Sequence, residues 1–246
     1  MTIAIEFKNV TKRYPLYHHI GSGVKDLIFN PKRAFEMLKG KSYLAIEDIS
    51  FQVKKGESVA LIGRNGAGKS TSLGLVAGVL KPSSGEVVVN GRVASMLELG
   101  GGFHPELSGR ENIKLNATLL GLRQADIKKK IDSIIEFSEL GMFIDEPIRV
   151  YSSGMLAKLG FSVITQVDPD ILIIDEILAV GDLAFQNKCI ETINKFKVKG
   201  TTILFVSHSM SDIRKVCDRV VWIENHRLKQ IGSAEEMTTA FASTMQ

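Results

Sequence analysis

One stretch constrains this chain more than any other: "LIGRNGAGKSTSLGLVAGVL", residues 61–80. It joins two apolar runs through a turn made largely of Gly63, Gly66, Ala67 and Gly68, followed by Lys69, Ser70 and Thr71. A segment with so few side chains cannot hold its place by packing them, so its main chain must approach something closely. Gly63, Arg64, Asn65, Gly66, Ala67, Gly68, Lys69 and Ser70 together fit the pattern G-x-x-x-x-G-K-S/T. Small residues let the main chain wrap an anion, and the N–H groups of a loop and a helix start form a dense neutral donor array. "SVALIG" reads as the preceding strand and "STSLGLVAGVL" as the following helix. The stretch therefore predicts a phosphate cradle, with Lys69 reaching the outer phosphates and Ser70 ligating Mg²⁺.

Such a loop serves several enzyme classes, and composition narrows them only a little. The 246 residues suffice for one large domain or two small ones. An apolar share of 44% and a charged share of 24% are ordinary for a globular protein. A net charge of +4 suits an anionic ligand or a membrane surface but is too weak to imply nucleic acid, and none is expected. Cys189 and Cys217 lack metal-ligand spacing, which predicts a reducing compartment. The N-terminus alternates like a strand rather than reading as a signal peptide, and apolar runs such as "ILII" fall short of the roughly 18 residues of a membrane span. A cytoplasmic chain that does not cross the bilayer is expected.

Periodicity predicts an α/β fold. Short alternating runs in residues 1–10 and 44–62, with a hairpin signal at Asn90 and Gly91, predict an antiparallel β layer beside the first parallel strand. From 103 to about 165 the spacing is helical, as at Ile127, Ile131, Ile134 and Ile135. Buried-strand runs at 171–175, 202–207 and 220–223 then alternate with helices, the pattern of a parallel sheet covered on both faces. Residues 15–43 interrupt the β layer and carry five Lys/Arg against two acids, so an inserted segment with a short amphipathic helix is expected there.

A second constellation decides between the classes. A guanine-reading N-K-x-D is missing, since the nearest candidate, Asn187 to Ile190, ends without the Asp. "ILIIDE" ends a buried strand in Asp175 and Glu176. Such a carboxylate can hold Mg²⁺ through water, and the next can orient or deprotonate the attacking water. The same pair is also a common strand-ending signal. "TILFVSHS" brings His208 to the carboxyl end of another strand, where ligands bind in parallel sheets. "YSSGM" opens an apolar helix, so Ser152, Ser153 and Gly154 offer either a second anion site or an ordinary N-cap.

Together these residues resemble those of an ATP-binding-cassette ATPase, over nearly the whole chain. The resemblance implies a P-loop NTPase core with a mainly parallel sheet, an N-terminal antiparallel β subdomain and an inserted α-helical subdomain. The corresponding division is 1–102 and 166–246 for the core, with the insertion 15–43, and 103–165 for the helical part. It implies ATP and Mg²⁺, with Tyr14 stacking on adenine, the cradle at 63–70 with Thr71 beside it, and a signature at Tyr151–Met155. It further implies a D-loop ending at Asp182, Glu176 as the base and His208 as the switch histidine. Two copies would pair head-to-tail, each ATP lying between one copy's cradle and the other's Ser152 and Gly154. The signature departs from the usual L-S-G-G-Q, and the usual Q-loop glutamine is absent, with Glu98 or Leu99 near its place. Glu98 is carried over as a metal ligand on that position alone.

Those departures resemble the ATPase subunits that export lipid-linked polysaccharides such as O-antigen, capsule and teichoic acid. The resemblance implies a separate integral-membrane permease, a lipid-linked glycan as cargo and a peripheral position on the cytoplasmic face of the inner membrane. The chain stops soon after "GSAEEMTTAFASTMQ", so an added glycan-reading β-sandwich is not expected. An exporter of drugs or small lipids, or a soluble cassette protein, remains the alternative.

Overall fold

The computed structural model describes residues 2–15, 42–96, 102–175 and 182–244. Its strands are β1 (Ile3–Pro15), β2 (Ser42–Lys54), β3 (Ser58–Ile62), β4 (Ser84–Val89), β5 (Val93–Ser95), β6 (Ile171–Ile174), β7 (Thr202–Phe205), β8 (Arg219–Glu224) and β9 (Arg227–Ser233). Its helices are α1 (Lys69–Val76), α2 (Gly109–Leu119), α3 (Gln124–Ser138), α4 (Ser153–Ile164), α5 (Leu183–Val198), α6 (Met210–Val216) and α7 (Ala234–Ser243).

Among the described residues two sheets form. One is antiparallel with order β2-β1-β4, and the other has order β5-β6-β7-β3-β8-β9, parallel except for β9. The expected α/β fold is present. Alternation along the parallel strands explains why the large sheet is buried on both faces. Val59, Leu61, Ile171, Ile173, Leu204 and Val221 face the small sheet and α1, with Ile5, Phe7, Ile49 and Leu73. Their chain neighbours Ala60, Ile62, Leu172, Ile174, Phe205 and Trp222 face α4 to α7, with Phe161, Phe185, Ile193 and Phe241. Each such aliphatic or aromatic side chain contributes about 1.5–3 kcal/mol by leaving water. A third apolar cluster joins Ile113, Ile127, Ile134, Ile144, Ile148 and Leu159 across α2, α3 and α4.

Two expectations are corrected. Asn90 and Gly91 do not make a hairpin, because β4 pairs antiparallel with β1 whereas β5 pairs parallel with β6, so the turn passes between sheets. Asn90 is held by Ala4 and Ile3 carbonyls at 2.8 and 3.1 Å, and the Asp170 carboxylate accepts from the Arg92 N–H at 2.7 Å. Gly91, at φ 140°, abuts Asp170, where a Cβ would come within 2.6 Å of the Asp170 Cβ. Pairing with β6 also buries Ala94 and Ser95. The second correction concerns 15–43. The β layer is not interrupted, since Tyr14 pairs with Tyr43 and Pro15 with Ser42 in one antiparallel ribbon. The segment leaves and re-enters at the tip of that ribbon. Residues 16–41, with the expected amphipathic helix, lie outside the described residues.

Candidate functional site

Three neighbouring parallel strands deliver the candidate residues to one edge of the sheet. β3 runs into the glycine loop, β7 leads to His208, and β6 ends immediately before Asp175. A chain leaving the carboxyl ends of adjacent parallel strands converges there, which is where ligands of such sheets bind.

The loop needs its glycines at two points. A Cβ on Gly63 would lie 2.2 Å from the Ile223 carbonyl oxygen, so only glycine lets the chain pass β8. At Gly68, with φ 111°, a Cβ would meet Ile46 Cγ2 at 2.3 Å and the Ala45 oxygen at 2.6 Å. Gly68 caps α1 and, having no side chain, makes no cap hydrogen bond of its own to the N–H groups that open that helix. Lys69 is 8% exposed, and its ammonium donates to the Gly63 and Arg64 carbonyls at 2.9 and 3.2 Å. A buried cation beside a helix N-terminus is a suitable setting for a polyanion.

A pocket of about 290 Å³ opens over this loop, lined by Tyr43, Ala45, Asn65, Gly66, Gly68, Lys69, Ser70, Thr71 and His208. The structure thus brings His208 to the glycine loop. Ser70 is exposed at the pocket and Asp175 is buried at the strand end. A hydroxyl and a carboxylate are hard oxygen donors, which fit Mg²⁺ with waters completing its shell. Tyr14 is not among the lining residues. Its cross-strand partner Tyr43 is, with its hydroxyl donating to the Gly66 carbonyl at 3.4 Å. His226 meets the Tyr43 ring edge-on at 5.9 Å and places Nδ1 3.1 Å from the Ala45 oxygen. Sequence reasoning missed Tyr43, although an aromatic residue re-entering the strand opposite Tyr14 was a readable signal.

The remaining candidates lie apart from the pocket. Ser152 and Ser153 are exposed and Gly154 half-buried, and none of the three lines it. The Ser152 hydroxyl accepts from the Met155 N–H at 3.2 Å and caps α4. Tyr151, in the position of the usual leucine, is buried and donates to the Phe143 carbonyl at 2.6 Å, pinning the helix start from behind. Asp182 caps α5 through the Phe185 N–H at 2.9 Å and pairs with Lys158 at 2.8 Å. The Lys158 ammonium holds the Asp182 carboxyl below its ordinary range, and Asp182 in turn raises Lys158. Glu98, Leu99 and Glu176, with residues 179–181, lie outside the described residues. Cys189 is buried, which pushes its thiol up to about 12 and leaves it inert.

A glycine loop between β3 and α1, followed in order by the Ser152-capped helix α4 and the strand-end Asp175, is the arrangement that a family profile described as ABC transporter matches over residues 46–179. The chain belongs to the ABC transporter family. It is 74% identical over 245 residues, covering 100% of both chains, to the O-antigen export system ATP-binding protein RfbB of Klebsiella pneumoniae. It is 42% identical over 239 residues to the teichoic acids export ATP-binding protein TagH of Listeria monocytogenes serotype 4b, covering 97% of this chain and 70% of that one. A dimeric ATP-binding cassette solved in a post-hydrolysis state with ADP and Pi superposes with a TM-score of 0.75 at 18% identity, covering 94% of this chain and 98% of that one. That likeness establishes the ABC cassette fold. Among the described residues of this family member, no helix is long and apolar enough to cross a membrane.

Proposed function

We propose that the chain is the ATP-binding and ATP-hydrolysing subunit of a bacterial exporter that moves lipid-linked O-antigen polysaccharide through a separate permease. It would sit peripherally on the cytoplasmic face of the inner membrane. The observation that carries this reading is the end-to-end identity of 74% to the Klebsiella pneumoniae O-antigen export subunit. In this reading 1–102 and 166–246 form the nucleotide-binding core and 103–165 the helical subdomain, supported by the separate apolar cluster around Ile113, Ile134 and Ile148.

The site residues take their roles from their chemistry. The main chain from Gly63 to Gly68 wraps the phosphates, with Arg64, Asn65 and Ala67 contributing their N–H groups. Lys69 turns from its carbonyl partners to the outer phosphates, so its ammonium stays hydrogen-bonded throughout. Ser70 and Asp175 would hold Mg²⁺, Glu98 is carried over as a third ligand from its place in the sequence, and Thr71 would lie beside the phosphates. With Mg²⁺ bound, charge on the reacting phosphate oxygens is neutralised. Glu176 orients the attacking water and accepts its proton, and His208 contacts the terminal phosphate. Tyr43 lines the pocket, and its cross-strand partner Tyr14 would stack on adenine beside it. Ser152, Ser153 and Gly154 of a second copy close over the phosphates head-to-tail, with Asp182 at the same interface.

Deleting the gene in its own bacterium should remove the long-chain bands of the lipopolysaccharide ladder, and a plasmid copy should restore them. A plasmid carrying Glu176→Gln should not. A full ladder from the Glu176→Gln plasmid overturns the reading.

A further inference from the structure

The turn between β8 and β9 holds two residues with side chains in the left-handed conformation, Asn225 at φ 50° and His226 at φ 66°. A Cβ makes that conformation uncommon, whereas glycine adopts it without strain. His226 is tied there to β2 by two contacts. Its carbonyl accepts from the Glu47 N–H at 2.7 Å, and its Nδ1 lies 3.1 Å from the Ala45 carbonyl oxygen. A carbonyl can only accept, so the ring carries its proton on Nδ1. The same strand supplies Tyr43 and Ala45 to the pocket over the glycine loop.

With its ring pinned to Ala45, His226 meets the Tyr43 ring at 86° with the centroids 5.9 Å apart, a favourable edge-to-face arrangement. The far end of Tyr43 is also held, its hydroxyl 3.4 Å from the Gly66 carbonyl oxygen. Tyr43 is nonetheless 45% exposed, which leaves ring surface to whatever enters the pocket that it lines. The pocket is divided in its chemistry. The glycine loop, Lys69, Ser70 and Thr71 offer main-chain donors, an ammonium and hydroxyls, whereas Tyr43 and Ala45 offer a ring and a methyl group. Phosphates need the donors. A ring and a methyl suit the face of a base or a sugar.

We propose that His226 is a positioning residue for the nucleotide, setting the Tyr43 ring against the nucleoside side of the pocket before ATP arrives. The inference rests on the ATP reading proposed above. A half-exposed tyrosine left free to turn would have to be ordered by the ligand at a cost in affinity, and His226 orders it in advance. The left-handed turn then carries a side chain for the ring that it delivers, where glycine would serve the backbone alone.

The test is calorimetry on the full chain with Mg²⁺ and ATP, and with inorganic tripolyphosphate as a probe that has no nucleoside. His226→Gly suits φ 66° and removes the ring, so Tm should stay near wild type while the Kd for ATP rises about 3–10-fold, the scale of ordering one side chain. The Kd for tripolyphosphate should not move. His226→Asn also tolerates the left-handed conformation and carries no ring, so it should behave alike and serves where His226→Gly fails to fold. Tyr43→Leu should weaken ATP at least as much. Adding His226→Gly to it should cost nothing further, because the histidine acts through that ring. Unchanged ATP affinity in the His226 variants, an equal loss for tripolyphosphate, or additive losses in the double variant overturns the proposal. A wild-type chain that binds no ATP overturns the ATP reading itself, and the positioning with it.

Discussion

The starts of α1 and α4 are both small-residue turns leading into an apolar helix, yet they are finished in opposite ways. At α1, Gly68 leaves the first N–H groups to the pocket, and Lys69 turns into the loop beside them. At α4, Ser152 satisfies the helix start with its own hydroxyl, while Ser152 and Ser153 stay exposed outside the pocket. In the proposed function the first turn is built around a ligand within one chain. The second presents a capped helix start to solvent. There, in the same reading, it meets the nucleotide held by a second copy.

The sharpest way to separate the two turns is to stop chemistry while keeping both. Glu176→Gln should lower turnover by about 10²–10⁴-fold, the scale of lost general-base catalysis. ATP binding should persist, read by equilibrium dialysis. Near-normal turnover removes Glu176 as the base.

Breaking the α1 side alone comes next. Lys69→Ala removes charge-assisted hydrogen bonds of about 1.5–3 kcal/mol, so ATP affinity should fall about 10–100-fold. The measurement is a calorimetric Kd on the isolated chain. Unchanged affinity would place the phosphates elsewhere.

The α4 side should behave differently. Ser152→Ala removes an N-cap and should cost about 1 kcal/mol of stability in chemical denaturation. ATP binding to the isolated chain should be unaffected, while turnover of the assembled exporter drops. Equal loss of binding would erase the distinction between the two turns.

The smallest effect concerns pH. The Lys158 ammonium depresses the Asp182 carboxyl, so the pair's contribution is present above the ordinary aspartate range and fades as pH falls through the lower folded value. Asp182→Asn should therefore melt below wild type near neutrality and converge with it in acid. Parallel Tm curves at every pH would show that the pair adds no pH-dependent stability.

Local chemistry made much of this molecule legible in advance. The glycine loop needs no distant contact to be recognised, because φ, close approach and anion binding all demand the same few residues. The parallel strands also read directly, since burial on both faces leaves continuous apolar runs such as Ile171–Ile174. The Asn90 and Gly91 turn failed because a dipeptide reports its bend and not its pairing. Whether β5 joins β4 or β6 depends on which partner buries Ala94 and satisfies Arg92, a contest settled at Asp170, far along the chain.

The sequence by itself therefore determined the α/β class, the phosphate loop and the order of its motifs, because each depends on residues within a turn or a strand of one another. Only the tertiary structure decided that Tyr43 lines the pocket and that β5 joins the parallel sheet. It alone brought Lys158 between Asp182 and Glu139. Those outcomes depend on which side chains meet across gaps of 19 to 78 residues, and no local pattern of polarity or propensity encodes such meetings.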